Sequence, residues 1–244
     1  MTGTFTPRPG AASAARMLRA QTGLELRLIL RNGEQLLLTL VIPVVVLLAG
    51  ARFTDVDRLV PGVLALAVLS TAFTGLAIGT GFERRYGALK RLGASPLPRS
   101  LLLASKALAV LGVEAVQWLL IATIGFELGW RPDPQPVAVL ALAVVGTAAL
   151  AALGLLMAGT LRAEATLAAA NFVYLLLLAG GGIAIPSDRY PGWAGHVVDA
   201  LPSGALAGGL RAAFSGGTPW WAVLVLALWG LVGGVAAARS FRWE

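Results

Sequence analysis

Apolar positions along this chain gather into six long runs, and the polar positions lie mostly between them. The runs cover residues 35–50, 60–82, 101–128, 137–161, 166–185 and 220–238. A helix that crosses a bilayer needs about 20 apolar residues, within a range of about 17–25. The pattern therefore predicts an all-α integral membrane protein with six transmembrane helices. The first run is slightly short and holds Pro43; the third is long enough to tilt or to project into the cytosol.

The segments between the runs have patterns of their own. In residues 14–34, Arg16, Arg19, Arg27 and Arg31 share about one third of a helix circumference, while Met17, Leu24 and Leu28 fall on another side. This predicts an amphipathic interfacial helix whose arginines reach anionic membrane lipids. The alternative is a cytosolic extension of the first span. Residues 1–12, polar with two prolines, read as disordered and not as a signal peptide. The chain thus divides into a tail and interfacial helix at 1–34 and a six-span domain at 35–244.

Residues 82–106 are the densest basic segment, with Arg84, Arg85, Lys90, Arg91, Arg99 and Lys106 against one acid, Glu83. Its interior predicts a short helix over 83–92, stopped by Gly93, Pro96 and Pro98. The segment at 186–218 is long and moderately apolar. Two short helices are predicted there, 193–201 and 203–214, broken at Pro202. Neither is long enough to cross, so they read as re-entrant segments, covered by protein or water as such backbone requires.

Charge orients the pattern. With both termini cytoplasmic, fourteen of the nineteen Lys and Arg residues lie inside and five outside, which the positive-inside rule favours. Trp130, Trp193, Trp220 and Trp221 are then expected at the outer interface. The net charge of +7 follows from this topology, and nucleic-acid binding is not expected.

Only 13% of residues are charged and 57% are hydrophobic, with a mean hydropathy of +0.80. A soluble domain carries about 25% charged residues. There is no cysteine and one histidine, His196, which excludes thiolate sites and argues against a metal site. Neither lysine follows a glycine, so no phosphate-binding loop exists on this chain. Ionisable and polar residues within spans are the place to look for function. Glu114 and Gln117 lie in the third run, Asn171 and Tyr174 in the fifth. They read as a substrate path; for Glu114 an interhelical hydrogen bond is the equal alternative.

Three stretches, in this order, resemble the membrane subunit of type-2 ABC exporters, the class that includes daunorubicin-resistance-type permeases. They are residues 25–43 (ELRLILRNGEQLLLTLVIP), 83–92 (ERRYGALKRL) followed by Ser95-Pro96-Leu97 and Lys106, and the outer segment with Ile185-Pro186, Tyr190-Pro191, Leu201-Pro202, Leu210-Arg211 and Gly216-Gly217. The resemblance implies a permease that forms half of a membrane dimer, here expected as a homodimer. It implies a separate nucleotide-binding ATPase that carries ATP and Mg, with no cofactor on this chain. The 83–94 segment then resembles the coupling helix, and Glu83, Arg84, Arg85, Tyr86, Gly87, Leu89, Lys90, Arg91 and Leu92 become ATPase-coupling residues. Tyr86 and Leu89, one turn apart, are expected to anchor in a groove on the ATPase.

The function implied is ATP-driven export of an amphipathic or lipid-like substrate across the cell membrane, by a chain that is not itself an enzyme. Two other functions stay open: a proton-coupled secondary transporter using Glu114, and a membrane assembly factor that transports nothing.

Overall fold

The second apolar run forms the centre of the molecule. In the computed structural model, which describes residues 12–240, α3 (Val56–Val68), a π-helical stretch (Leu69–Gly75) and α4 (Leu76–Arg85) follow without a break. Asp55 caps this rod by accepting the Asp57 amide at 3.2 Å, which occupies a donor that the first turn leaves unpaired. Of the rod's most apolar 18 residues, 83% are buried, against 17% in α8 (Ala163–Gly180). The rod is therefore the core, and α8 sits at the edge.

The other helices are α1 (Ala14–Arg31), α2 (Gly33–Gly50), α5 (Ala88–Gly93), α6 (Arg99–Glu127), α7 (Pro136–Thr160), α9 (Trp193–Ala200), α10 (Pro202–Phe214) and α11 (Trp220–Ser240). Prolines open α7 and α10, at a position where the missing N–H costs no helical bond. Among the described residues there is no β-strand, and five helices are long and apolar enough to cross a membrane: Val56–Arg85, α6, α7, α8 and α11. In α2 the qualifying part, Thr39–Gly50, is shorter. The expected disorder over 1–12 falls, but for Ala12, outside the described residues.

α7 packs along α11 and also against the rod, while α10 lies over α3 and touches α7 and α11. α7 meets the π-helical stretch closely at Gly154, where an added Cβ would stand 2.6 Å from the Phe73 carbonyl oxygen. Only glycine lets the two backbones meet there.

Three sequence expectations change. The fifth span was expected to run to residue 185, but α8 ends at Gly180, because Gly181 and Gly182 (φ +83°) turn the chain. The freed carbonyls find partners on α10: Ser203 Oγ donates to Gly181 O at 2.8 Å, and Arg211 donates to Gly182 O and Ile183 O, both at 2.7 Å. Burial lowers the Arg211 guanidinium from its ordinary pKa, with Asp188 opposing that effect.

Trp130 does not present its ring at the surface, as an interfacial tryptophan is expected to. It is buried between the rings of Phe126 and Phe214, at centroid distances of 5.3 and 5.0 Å. The helix expected over 83–92 is two helices, because Gly87 adopts a left-handed conformation (φ +73°) that ends one and starts the next.

α1 carries a further face that its pattern does not single out. Its arginines Arg16, Arg19, Arg27 and Arg31 are exposed, and so are Leu24 and Leu28. The buried residues are Gln21 and Glu25, which α1 turns toward α6. The reason lies on α6, in the charge of Lys106.

Candidate functional site

Lys106, in the third turn of α6, is 1% exposed. A buried ammonium needs counter-charges within hydrogen-bonding distance. It has two: Nζ donates to Glu25 Oε2 of α1 at 2.8 Å and to Glu83 Oε2 of α4 at 2.7 Å. Gln21 Nε2 donates to the other Glu25 oxygen at 2.8 Å, fixing that carboxylate in place. Three helices distant in sequence thus meet at one charge.

The triad forms part of the wall of a cavity of about 940 Å³. The remaining walls come from α2, the π-helical stretch, α4 and α8, and are largely apolar with scattered hydroxyls such as Thr39, Ser70 and Thr74. Tyr86 and Ala88 stand at the rim. Asn171 and Tyr174, expected on a substrate path, both line it. Asn171 Nδ2 donates to Leu167 O at 2.9 Å, one turn back on its own helix.

Gln117 and Glu114 do not line the cavity. Gln117 lies just behind it, where Nε2 donates to Thr39 O of α2 and to Thr71 Oγ1 of the π-helical stretch, both at 3.0 Å. It ties three helices together. Glu114 points the other way, and its buried carboxylate accepts from Thr147 Oγ1 on α7. Of its two earlier readings, this contact is the interhelical hydrogen bond.

The elbow at the end of α4 and through α5, residues 83–93, also sorts its residues. Tyr86 is 72% exposed, and Lys90 and Arg91 are exposed. Leu89 is not an exposed anchor. It is wholly buried against Leu102, with Leu92, Leu97 and Leu103 around it, so α5 is held to the start of α6 by the chain's own small core. Arg84 donates to the Leu161 carbonyl, and Arg85 pairs with Glu164. These two arginines therefore link the elbow to the turn between α7 and α8. Glu83 and Gly87 serve the triad and the chain reversal already described.

A family model for ABC-2 type transporters matches residues 18–215, most of the chain. The chain belongs to the ABC-2 type transporter family. No curated protein and no solved structure matches it. The ABC-2 assignment makes it a multi-pass membrane protein and the permease part of an ABC transporter, not a catalytic subunit. Permeases of this family generally pair with an ABC ATPase subunit.

Sequence reasoning had Glu25 only as part of a resembling stretch, and Lys106 as one cation of the basic segment and part of a second such stretch. A signal for the triad existed: Glu25 is the one acid among the four arginines of the α1 segment, and Lys106 is the more deeply placed of only two lysines. A lone acid on a basic helix and a lone cation inside an apolar run invite pairing.

Proposed function

We propose that this ABC-2 permease is one half of an exporter, of the daunorubicin-resistance type, driven by a separate nucleotide-binding ATPase and moving an amphipathic or lipid-like substrate outward. The observation that carries this reading is the cavity whose lining residues Glu83, Tyr86 and Ala88 belong to the inner elbow. A displacement of the elbow acts on the cavity wall through α4 without an intervening loop. Mostly apolar walls with a few hydroxyls suit an amphipathic guest.

In this reading Tyr86, Lys90, Arg91 and the surface around Leu92 face the ATPase, and Asn171 and Tyr174 face the substrate. Gln117 and Glu114 set the helix packing behind the path. α2, 18 residues long, joins the other five as the first span in chain order; at about 1.5 Å per residue it reaches about 27 Å, close to the hydrocarbon thickness. Both termini are cytoplasmic, α9 and α10 are re-entrant on the outer side of the cell membrane, and a second copy of the chain completes the path. A proton-coupled mechanism would need Glu114 at the cavity, and it is turned away from it.

The test is reconstitution of the chain with its ATPase in liposomes, with ATP turnover measured against a panel of amphipathic compounds and lipids. We expect the permease to bind the ATPase, a subset of compounds to raise turnover, and Tyr86→Ala to abolish the rise while the protein still inserts. Absence of binding and of stimulation with the intact chain would overturn the proposal.

A further inference from the structure

Of the ion triad only Glu83 is among the residues expected to contact the ATPase, and the triad's place on the cavity wall gives it a task of its own. We propose that Lys106 is a positioning residue that clamps α1 to α4, so that movement of the inner elbow reaches two walls of the cavity together; this rests on the ATP-driven reading above. Glu83 lies three residues before Tyr86, at the end of the rod. Glu25 lies in the middle of α1, and Leu28, one turn on, stands on the cavity wall. Lys106 bonds both, from the third helix, at 2.7 and 2.8 Å.

The physical argument is that these bonds stretch poorly. Lys106 is buried, and separating a buried charge from its partner is strongly unfavourable, whereas moving all three groups as a body costs little. An elbow that shifts Glu83 therefore carries Lys106, and Lys106 carries Glu25. Without the clamp α4 would move alone, and α1, which packs mainly on α6, would stay behind. The set has one cation and two carboxylates, so loss of either acid still leaves a matched pair. The clamp can be opened on one side without stranding a buried charge.

That asymmetry supplies the experiment. Glu25→Ala frees α1 and leaves the Lys106–Glu83 pair. The sign-reversed variant E25K/E83K/K106E restores both bonds with opposite charges. Each is reconstituted as the full permease with its ATPase, and stimulated ATP turnover is measured per inserted permease together with ATPase affinity. We expect Glu25→Ala to lower the maximal stimulated rate by about fivefold or more, as for typical coupling energies, with affinity unchanged, and the reversed variant to recover it. Because the chain has no cysteine, spin labels placed by Ala20→Cys and Ala88→Cys report the distance from α1 to the elbow. That distance should broaden in Glu25→Ala on the permease alone, before any ATPase is added.

An unchanged label distribution would overturn the clamp, as would a stimulated rate within twofold of the parent, or a rate lost only in proportion to affinity. The label measurement needs no ATPase. A chain that fails to bind any ATPase overturns the proposed function and leaves the label result to be read by itself.

Discussion

Leu89→Ala should unfasten the α4–α5 elbow while leaving the membrane bundle intact. Leu89 is one of two fully buried members of a small leucine cluster that stands apart from the main core. Truncating a buried leucine costs about 2–5 kcal/mol, the transfer term plus the void left behind. At about 1.4 kcal/mol per factor of ten, that is a loss of roughly 30- to several-thousand-fold in the local closing equilibrium. The loss saturates once α5 is open, because six residues carry little stability of their own. Hydrogen exchange by mass spectrometry, on the protein in lipid nanodiscs, reads this directly. Peptides over residues 88–93 should lose protection, while those from α7 stay as in the parent. Tyr86→Ala, three residues earlier but exposed, should leave exchange unchanged over the same peptides. Exchange within threefold of the parent in Leu89→Ala would refute the assignment of this residue to an internal core. So would a loss that spreads evenly into α6 and α7.

Three further outcomes follow from particular contacts. Gly154→Val sets a side chain against the Phe73 carbonyl and should cost about 1–3 kcal/mol, seen as a lower melting midpoint in detergent; an unchanged midpoint would mean that α7 and the π-helical stretch are not in contact. Gln117→Leu removes both bonds that join α2, α6 and the rod, and at about 0.6 kcal/mol per intramembrane bond should lower stability by about 1 kcal/mol in the same assay. Arg211→Met strips partners from the Gly182 and Ile183 carbonyls, so protease cleavage within residues 181–190 should quicken markedly while α3 remains protected; equal cleavage rates would show that the guanidinium does not hold this break.

The apolar spacing made the helices legible, because lipid imposes long uninterrupted runs whatever the partners are. Pro202 and the glycines made the α9–α10 pair legible for a similar local reason. What was not legible depended on where a helix face meets its neighbours. Leu89 has the same local pattern whether it meets a partner or Leu102, and only the fold back from Pro98 decides. The pattern of α1 sorts its arginines from Leu24 and Leu28, but only Lys106 on α6 shows why Gln21 and Glu25 are the residues it buries. Glu114 and Gln117 lie within one turn of each other, yet one faces α7 and the other faces α2 and the rod. Helical phase in the bilayer is set by packing, and a single sequence carries only the apolar total.

The π-helical stretch adds one consequence. A π turn accommodates one residue more than the α turn it replaces, so everything after Gly75 is out of phase with everything before Leu69. Each residue of phase is about 100° of rotation in a helix of 3.6 residues per turn. Deleting one residue from 69–75 would remove that extra residue and leave a regular α-helix of nearly the same length, with Glu83 and Tyr86 still aimed as before. Straightening the stretch with its residue kept would instead turn the α4 end of the rod by more than a quarter of a revolution, swinging Glu83 away from Lys106 and giving Tyr86 a new direction. The rod thus works as an angular setting as well as a pillar: its length fixes where the elbow lies, and its π turns fix which way the elbow looks.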